Sequence, residues 1–588
     1  MSNQANLSKK DYIRFSHLRR FLTSQPYYVW HDLKVASETE TDNNEFDFWE
    51  LDLDEDEILD YAEVIKNGFG QVKDFFYKAI AAQASKLKKK IFFNYEINVE
   101  LALKKTIAAL NDPQIDWIVN PAFLYEDCLI RPSLYRKAER QVSSLLHSSK
   151  TKLINHIQAY FEVQVLDHLQ IPLDQYSFFV YDKNYHYQTA PDLQFSESIY
   201  CWTQKGGPDK NIKKTIEEHA KEPIIVKARS GEIYRDKNKV LDLANGFSWY
   251  IQKIRAAKMI NQPEELNDAD LTLWGENPHF VERFPFDKLA LNPISGSLLQ
   301  KKELLTLLKQ EQVLDNLVNN KTSLKLTWKK TNLINFPVVK NLLMQIRKQY
   351  CIWYDFEGFS MPFVMLSQTK PYQQLVFQVS VIKTNRDEIL KVENLVIDPA
   401  KINVLSFTKI IDAIYDPHAF KYVVYNKGYE NSRLTELRDQ ILPTLLDEEN
   451  LQIYVAKINH IIDLTFDLLD FFRINNSKTN VPPIFLYQMW GYSSIKKLEH
   501  FITNRQFNFP VMIKPYKSLA VQNGLMAMNK AMQRYLNTIG DQEWKANVKM
   551  LKEYCENDVK AMIMVYYFIC WLVDHEANDE WLLLLKKF

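Results

Sequence analysis

The stretch QYCIWYDFEGF, residues 349–359, carries an apolar run from Tyr350 to Tyr354 straight into two acids, Asp355 and Glu357. A short, continuous apolar and aromatic run is the pattern of a strand buried on both faces. Residues two apart on a strand project from the same face, so the two carboxylates share one surface. Side by side they repel, and one must hold a proton unless a cation neutralises the pair. A DxE pair at the end of a buried strand therefore points toward a bound metal, although strand-end solvation alone often produces such a tripeptide.

Working outward, LVFQVSVIKT (375–384) and LKVENLVID (390–398) supply two more strand-like segments, which with the first predict a meander. LSFTKIIDAIY (405–415) has helical spacing, KYVVYN (421–426) is a short strand, and a further helix begins near Gly428. The order β-β-β-α-β-α is that of a ribonuclease-H-like mixed sheet.

Two more elements carry acids. In YNKGYE (425–430) a strand runs into a turn at Asn426, and Glu430 opens the next helix. In YCENDVKAM (554–562) Tyr554 and Asp558 are four apart and share a helix face. Phosphodiester hydrolysis with two divalent ions needs several carboxylates, one ion activating water and the other stabilising the leaving oxygen. Hard oxygen ligands select Mg²⁺ or Mn²⁺. A tyrosine beside such ions can orient the attacking water and help to deprotonate it. Taken singly, Asn426 reads as a helix cap, Tyr554 as a core aromatic and Asp558 as a surface acid; their order along the chain is what suggests a site.

DFE, NxxYE and YxxxD in that order resemble the three exonuclease motifs of the DnaQ-like DEDD superfamily, tyrosine subclass. The histidine subclass would place histidine five residues before Asp558, where Glu553 stands. Glu430 departs from the aspartate usual in the superfamily. The segments WYDFEGFSMPF, KPYQQLVFQVSV, YVVYNKGYE, IIDLTF, WGYSSIKKL, NGLMAM and YCENDVKAM are similar, in order, to a bacterial family of unknown function with a DEDD-exonuclease-like C-terminal half. The similarity covers most of residues 350–570.

That resemblance implies an α/β, ribonuclease-H-like domain over residues 346–588 that acts as a 3′→5′ exonuclease on DNA or RNA 3′ ends. Asp355, Glu357, Glu430 and Asp558 would hold two Mg²⁺ or Mn²⁺ ions and Tyr554 would position water. Asn426 and Asp463 take supporting roles, Asp463 standing where related exonucleases place a DS or DT pair, and Lys496 a phosphate contact.

Residues 7–22, LSKKDYIRFSHLRRFL, resemble the opening of a RecB-like PD-(D/E)XK nuclease region found in the same family. Where such domains carry acids, this sequence aligns Asn120, Ser133, and Leu145 with His147. Residues 1–285 are thus expected to form an α/β nuclease-shaped domain that no longer cuts and binds nucleic acid or a protein partner instead. Residues 286–345, containing KKELLTLLKQEQVLDNLV, read as a helical connector. The acidic run Ser37–Asp60 reads as a solvated loop, and KLKKK (86–90) as a basic helix end or plain surface.

Composition agrees with a globular chain of two or three domains: 588 residues, 46% hydrophobic and 25% charged. Lys+Arg and Asp+Glu are both 73, so no global field draws nucleic acid or anionic membrane, and any such affinity must be local. The 5 cysteines form no CxxC pair, which suggests neither zinc knuckle nor disulfide framework and fits a reducing compartment. MSNQANLSKKDYIRF lacks an apolar h-region, and the apolar stretch Ala561–Val573 is short for a bilayer span. A cytoplasmic protein with no membrane contact is expected. The rival to an exonuclease is a non-catalytic nucleic-acid-binding or scaffold protein on the same folds. A HAD-like phosphatase built on Asp355 is disfavoured because DFEGF lacks the DxDx[TV] pattern.

Overall fold

The computed structural model describes residues 12–18, 55–151, 153–201, 225–228, 231–234, 246–259, 332–473, 482–486, 494–505 and 507–576. Most of the acidic run, most of the turn-rich stretch near 206–278 and most of the connector lie outside the described residues. The chain divides into two α/β units: residues 1–53, 66–186 and 192–287, and residues 54–65, 187–191 and 288–588.

In the first unit, the part of α1 (Glu55–Lys86) from residue 66 onward is followed by β1 (Ile91–Phe93), α2 (Val99–Asn111), β2 (Trp117–Val119), the hairpin β3 (Phe123–Tyr125) and β4 (Cys128–Ile130), β5 (Leu134–Arg136) and β6 (Gln141–Leu145). Then come α3 (Leu153–His168), β7 (Gln175–Tyr181), β8 (Phe195–Cys201), the hairpin β9 (Ile225–Ala228) and β10 (Gly231–Tyr234), and α4 (Gly246–Met259). The acidic run therefore ends inside a helix, α1, rather than wholly in a loop. Strand order is β1-β2-β5-β6-β7-β8. β2, β5 and β6 form an antiparallel meander, α3 returns the chain, and β7 lies parallel to β6. Within the opening motif, Ile13 pairs with β4 through bonds to Asp127 and Leu129. α3 buries Phe161, Val165 and Leu166 against this sheet in one apolar core.

The second unit begins, in its described part, with β11 (Leu333–Ile334) and α5 (Phe336–Leu343), and continues with β12 (Cys351–Phe359), β13 (Leu375–Asn385), β14 (Glu388–Val396), α6 (Val404–Ile414), β15 (Lys421–Val424) and α7 (Lys427–Glu436). After these come α8 (Glu448–Asp463), β16 (Thr465–Asp467), β17 (Ile484–Phe485), α9 (Ile495–Asn504), α10 (Gly524–Tyr535) and α11 (Asp541–Asp574). The five-stranded sheet runs β14-β13-β12-β15-β16, with the meander antiparallel and β15 and β16 parallel to β12. β12 is central and buried on both faces, which is why its sequence shows no alternation.

Helix α11 lies against that sheet. Gln378 Nε2 on β13 donates to Leu551 O at 2.7 Å, and Asn394 Nδ2 on β14 to Glu556 Oε2 at 2.6 Å. The stretch Ala561–Val573 is thus a buried part of α11, packing Phe568 edge-on against Phe501 of α9. Among the described residues no helix is long and apolar enough to cross a membrane.

Candidate active site

Strand β12 presents Asp355 and Glu357 on one face, and α11 brings Asp558 to them. Carboxylate oxygens of the three lie within 4.8 Å of one another, Glu357 and Asp558 buried and Asp355 half-buried. A register shift follows Glu357, at Gly358. A Cβ on Gly358 would stand 2.8 Å from the Tyr429 hydroxyl, so only glycine permits that approach. Gly524, the first residue of α10, is similarly tight: a Cβ there would lie 3.2 Å from Glu357 Oε2. Glu357 thus faces the N-terminus of α10, where unpaired N–H groups and the helix dipole favour negative charge.

Glu430, in the first turn of α7, is buried, and its Oε2 has no hydrogen-bond partner. Burial and then the neighbouring Asp355 push its carboxyl well above the usual range. Asp355 is raised by burial and by Asp558; Glu357 by burial, Asp355 and Asp558. Asp558 is also raised by burial, but Tyr516, Lys496 and Tyr554 pull it back. Several acids in a low-dielectric pocket cannot all be ionised without a cation, and these are the residues that could hold one.

Tyr554 stands one turn before Asp558, and the buried Tyr516 donates to that aspartate. Burial and the carboxylates hold both phenols protonated, well above their ordinary range. Tyr516 is placed by Asn557, which accepts from Lys514 N and donates to Lys514 O, both at 3.0 Å. Lys496, on the first turn of α9, puts its ammonium 5.1 Å from the ring centre of Tyr516, 5.8 Å from that of Tyr554 and 2.9 Å from Gln522 O. One turn on, Glu499 is pushed up to about 7 by burial, against the opposing pull of Thr503 and Lys496.

Two sequence expectations change. Asp463 is the exposed last residue of α8 and does not join the acids. The acid that matters structurally is Asp467, four residues on in β16: wholly buried, it accepts from Asn426 N at 2.8 Å and Lys427 N at 3.1 Å and so fixes the turn that delivers Glu430. Asn426 sits at φ 70°, an αL conformation that asparagine tolerates, and its side chain neither caps α7 nor is buried. Its contribution is backbone geometry. Tyr516, Asp467, Gly524 and Glu499 carry no motif in the sequence; Tyr516, Asp467 and Gly524 are linked to the site through contacts distant along the chain.

In the first unit, Asn120, Ser133, Leu145 and His147 lie at neighbouring strand ends. Asn120 N donates to Ser133 O at 3.0 Å, and Ser133 Oγ accepts from Leu145 N at 2.8 Å. Asn120 Nδ2 donates to Tyr77 OH at 2.5 Å. His147 packs against Phe69 with ring centres 4.0 Å apart and the rings tilted by 41°, and burial carries its pKa down to about 3. Among the described residues, the buried Glu162 is engaged elsewhere with Tyr176, Ser144 and Gln158, and the half-buried Glu197 with Arg136, Gln141 and Ser177.

Residues 352–494 match the family described as Domain of unknown function (DUF2779). The DUF2779 match takes in β12, α7 and β16, hence Asp355, Glu357, Glu430 and Asp467, and ends before Lys496, Tyr516, Tyr554 and Asp558. The chain is 37% identical over 238 residues to the uncharacterized protein UU173 of Ureaplasma parvum, covering 40% of this chain and 33% of that protein. It is 36% identical over 247 residues to the uncharacterized protein MG366 of Mycoplasma genitalium, covering 41% and 34%. A homologue of MG366 in Mycoplasma pneumoniae is 33% identical over 228 residues. The chain thus spans about a third of the length of these relatives. No solved structure matches.

Proposed function

We propose that the chain is a metal-dependent 3′→5′ exonuclease of DNA or RNA ends, its second unit ribonuclease-H-like and of the DEDD type. The observation that carries this is the convergence of Asp355, Glu357 and Asp558, from a central strand and a distant helix, to within 4.8 Å. The sheet order β14-β13-β12-β15-β16, the acids beside its middle strand and a tyrosine one turn before the helical aspartate support it. The donor set fits Mg²⁺ or Mn²⁺: all oxygen, largely buried, with Glu430 Oε2 still unpartnered.

Divalent ions bound there would supply an activated water and neutralise charge on the leaving 3′ oxygen. Asp355, Glu357, Asp558 and Glu430 would hold them. Tyr554 stays a phenol at neutral pH, so its task is to orient water by hydrogen bonding rather than to take the proton. Lys496 would contact a phosphate oxygen.

For the first unit, the succession α2-β2-β5-β6-α3-β7 supports a PD-(D/E)XK-related domain, and the neutral set at its strand ends supports loss of cutting there. We assign it to binding nucleic acid or a protein partner. The test is release of 5′-mononucleotides from single-stranded DNA and RNA by the full chain in Mn²⁺. Release that stops with EDTA is expected; none from either substrate overturns the proposal.

A further inference from the structure

Lys496 places a cation among the acids of the second unit. Its ammonium lies against a backbone carbonyl and the rings of Tyr516 and Tyr554, and Tyr516 itself donates to Asp558, which sets the ammonium beside that carboxylate. Its field acts on Glu357, Asp558 and Glu499. We propose that Lys496 is an exchangeable counter-ion: it neutralises Glu357 and Asp558 while no divalent ion is bound, and turns to a phosphate oxygen when an ion and a nucleic-acid end bind together. This rests on Asp355, Glu357 and Asp558 being a divalent-metal site.

Three features lead there. Lysine is a compact point charge on a flexible four-carbon stem with three donors, so a modest swing changes its anionic partner without breaking a bidentate fork. Like charges at short range in a partly buried site oppose each other by kilocalories, so the ammonium competes with an incoming ion for the same carboxylates. A phosphate anion relieves that competition by giving the ammonium another partner, while the ring faces of Tyr516 and Tyr554 keep it at the site. Linkage then makes the effect mutual: phosphate tightens metal binding, and metal tightens phosphate binding, by the same factor. The site would be weakly loaded without a substrate and strongly loaded with one.

The experiment follows free Mn²⁺ by electron paramagnetic resonance in titrations of the full chain, with and without thymidine 5′-monophosphate. Lys496→Met is expected to bind Mn²⁺ about tenfold tighter than wild type in the absence of nucleotide, and Lys496→Arg to stay near wild type. The nucleotide should tighten Mn²⁺ binding by wild type about tenfold and by the methionine variant little. Lys496→Gln, a shorter neutral variant, replaces methionine if near-UV circular dichroism shows that chain misfolded. Equal or weaker Mn²⁺ binding by folded neutral variants, or undiminished tightening by nucleotide, overturns the inference while leaving the metal site standing. Wild-type Mn²⁺ binding that Asp355→Ala leaves unchanged overturns the metal site and this inference with it.

Discussion

Tyr516 donates its hydroxyl hydrogen to Asp558 Oδ1 from a segment that Asn557, the neighbour of that aspartate, pins through two backbone bonds. The helix that supplies a candidate ligand thereby also fixes the group that orients it. Second-sphere partners of metal ligands are worth about 10–100-fold in affinity or activity. Tyr516→Phe should raise the Mn²⁺ concentration for half-maximal rate by about tenfold with kcat little changed. Tyr554→Phe should instead lower kcat by about a hundredfold with KM nearly unchanged, the signature of a water-orienting group. Steady-state rates across a Mn²⁺ series separate the two; identical profiles would contradict the division of roles.

Glu430 is longer by a methylene than aspartate, yet β16 and α7 seat it beside Asp355 with one oxygen unpartnered. Glu430→Gln should weaken metal-dependent turnover by about 10–100-fold. Glu430→Asp should recover less than wild type, because the turn held by Asp467 is set for the longer side chain. Rates at saturating Mn²⁺ measure both.

Gly524→Ala sets a methyl 3.2 Å from Glu357 Oε2 and must displace that carboxylate or the start of α10. Its expected mark is Mn²⁺ binding weakened by about tenfold in a chain whose melting temperature is nearly intact. Calorimetric titration and thermal unfolding read the two separately.

Arg534, almost wholly buried, clasps Asp398 with two bonds of 2.8 Å and so ties α10 to the end of β14. Removing one side of such a pair strands the other charge, so Arg534→Ala should destabilise the second unit by about 3 kcal/mol. Urea unfolding gives the number.

His147 is held neutral in the folded first unit, burial carrying its pKa down to about 3 from the ordinary 6.5. The unfolded chain binds the proton near pH 6.5 and the folded chain does not, so stability is full above that value and falls as pH drops toward 3. His147→Gln should flatten that decline. Thermal unfolding between pH 7 and pH 4, wild type against variant, checks it; parallel curves would contradict the assignment.

The sequence makes β12 legible because a fully buried central strand is written as an unbroken apolar run, and the meander follows from the two long strands beside it. β16 stays hidden because Thr465–Asp467 is three residues long and follows α8 directly. Asp463 stands where related exonucleases place a DS or DT pair, while Asp467, which holds the turn, carries no local mark. Tyr516 lies 42 residues from Asp558, and only folding shows that they meet. In the first unit, Asn120, Ser133, Leu145 and His147 come together as neighbouring strand ends, whereas the hydrogen-bond partners of Glu162 and the Arg136 ion pair of Glu197 depend on strand register that no local pattern encodes.

The central claim is that Asp355 helps hold the ions that cut. Full-length wild type and Asp355→Ala are compared on a 5′-labelled single-stranded oligonucleotide with Mn²⁺, with and without EDTA. A ladder shortening from the 3′ end with wild type, abolished by EDTA and reduced to background in the variant, is the predicted result. Equal ladders from the two proteins would contradict it, and metal-dependent cutting left in the variant would restore activity to the first unit.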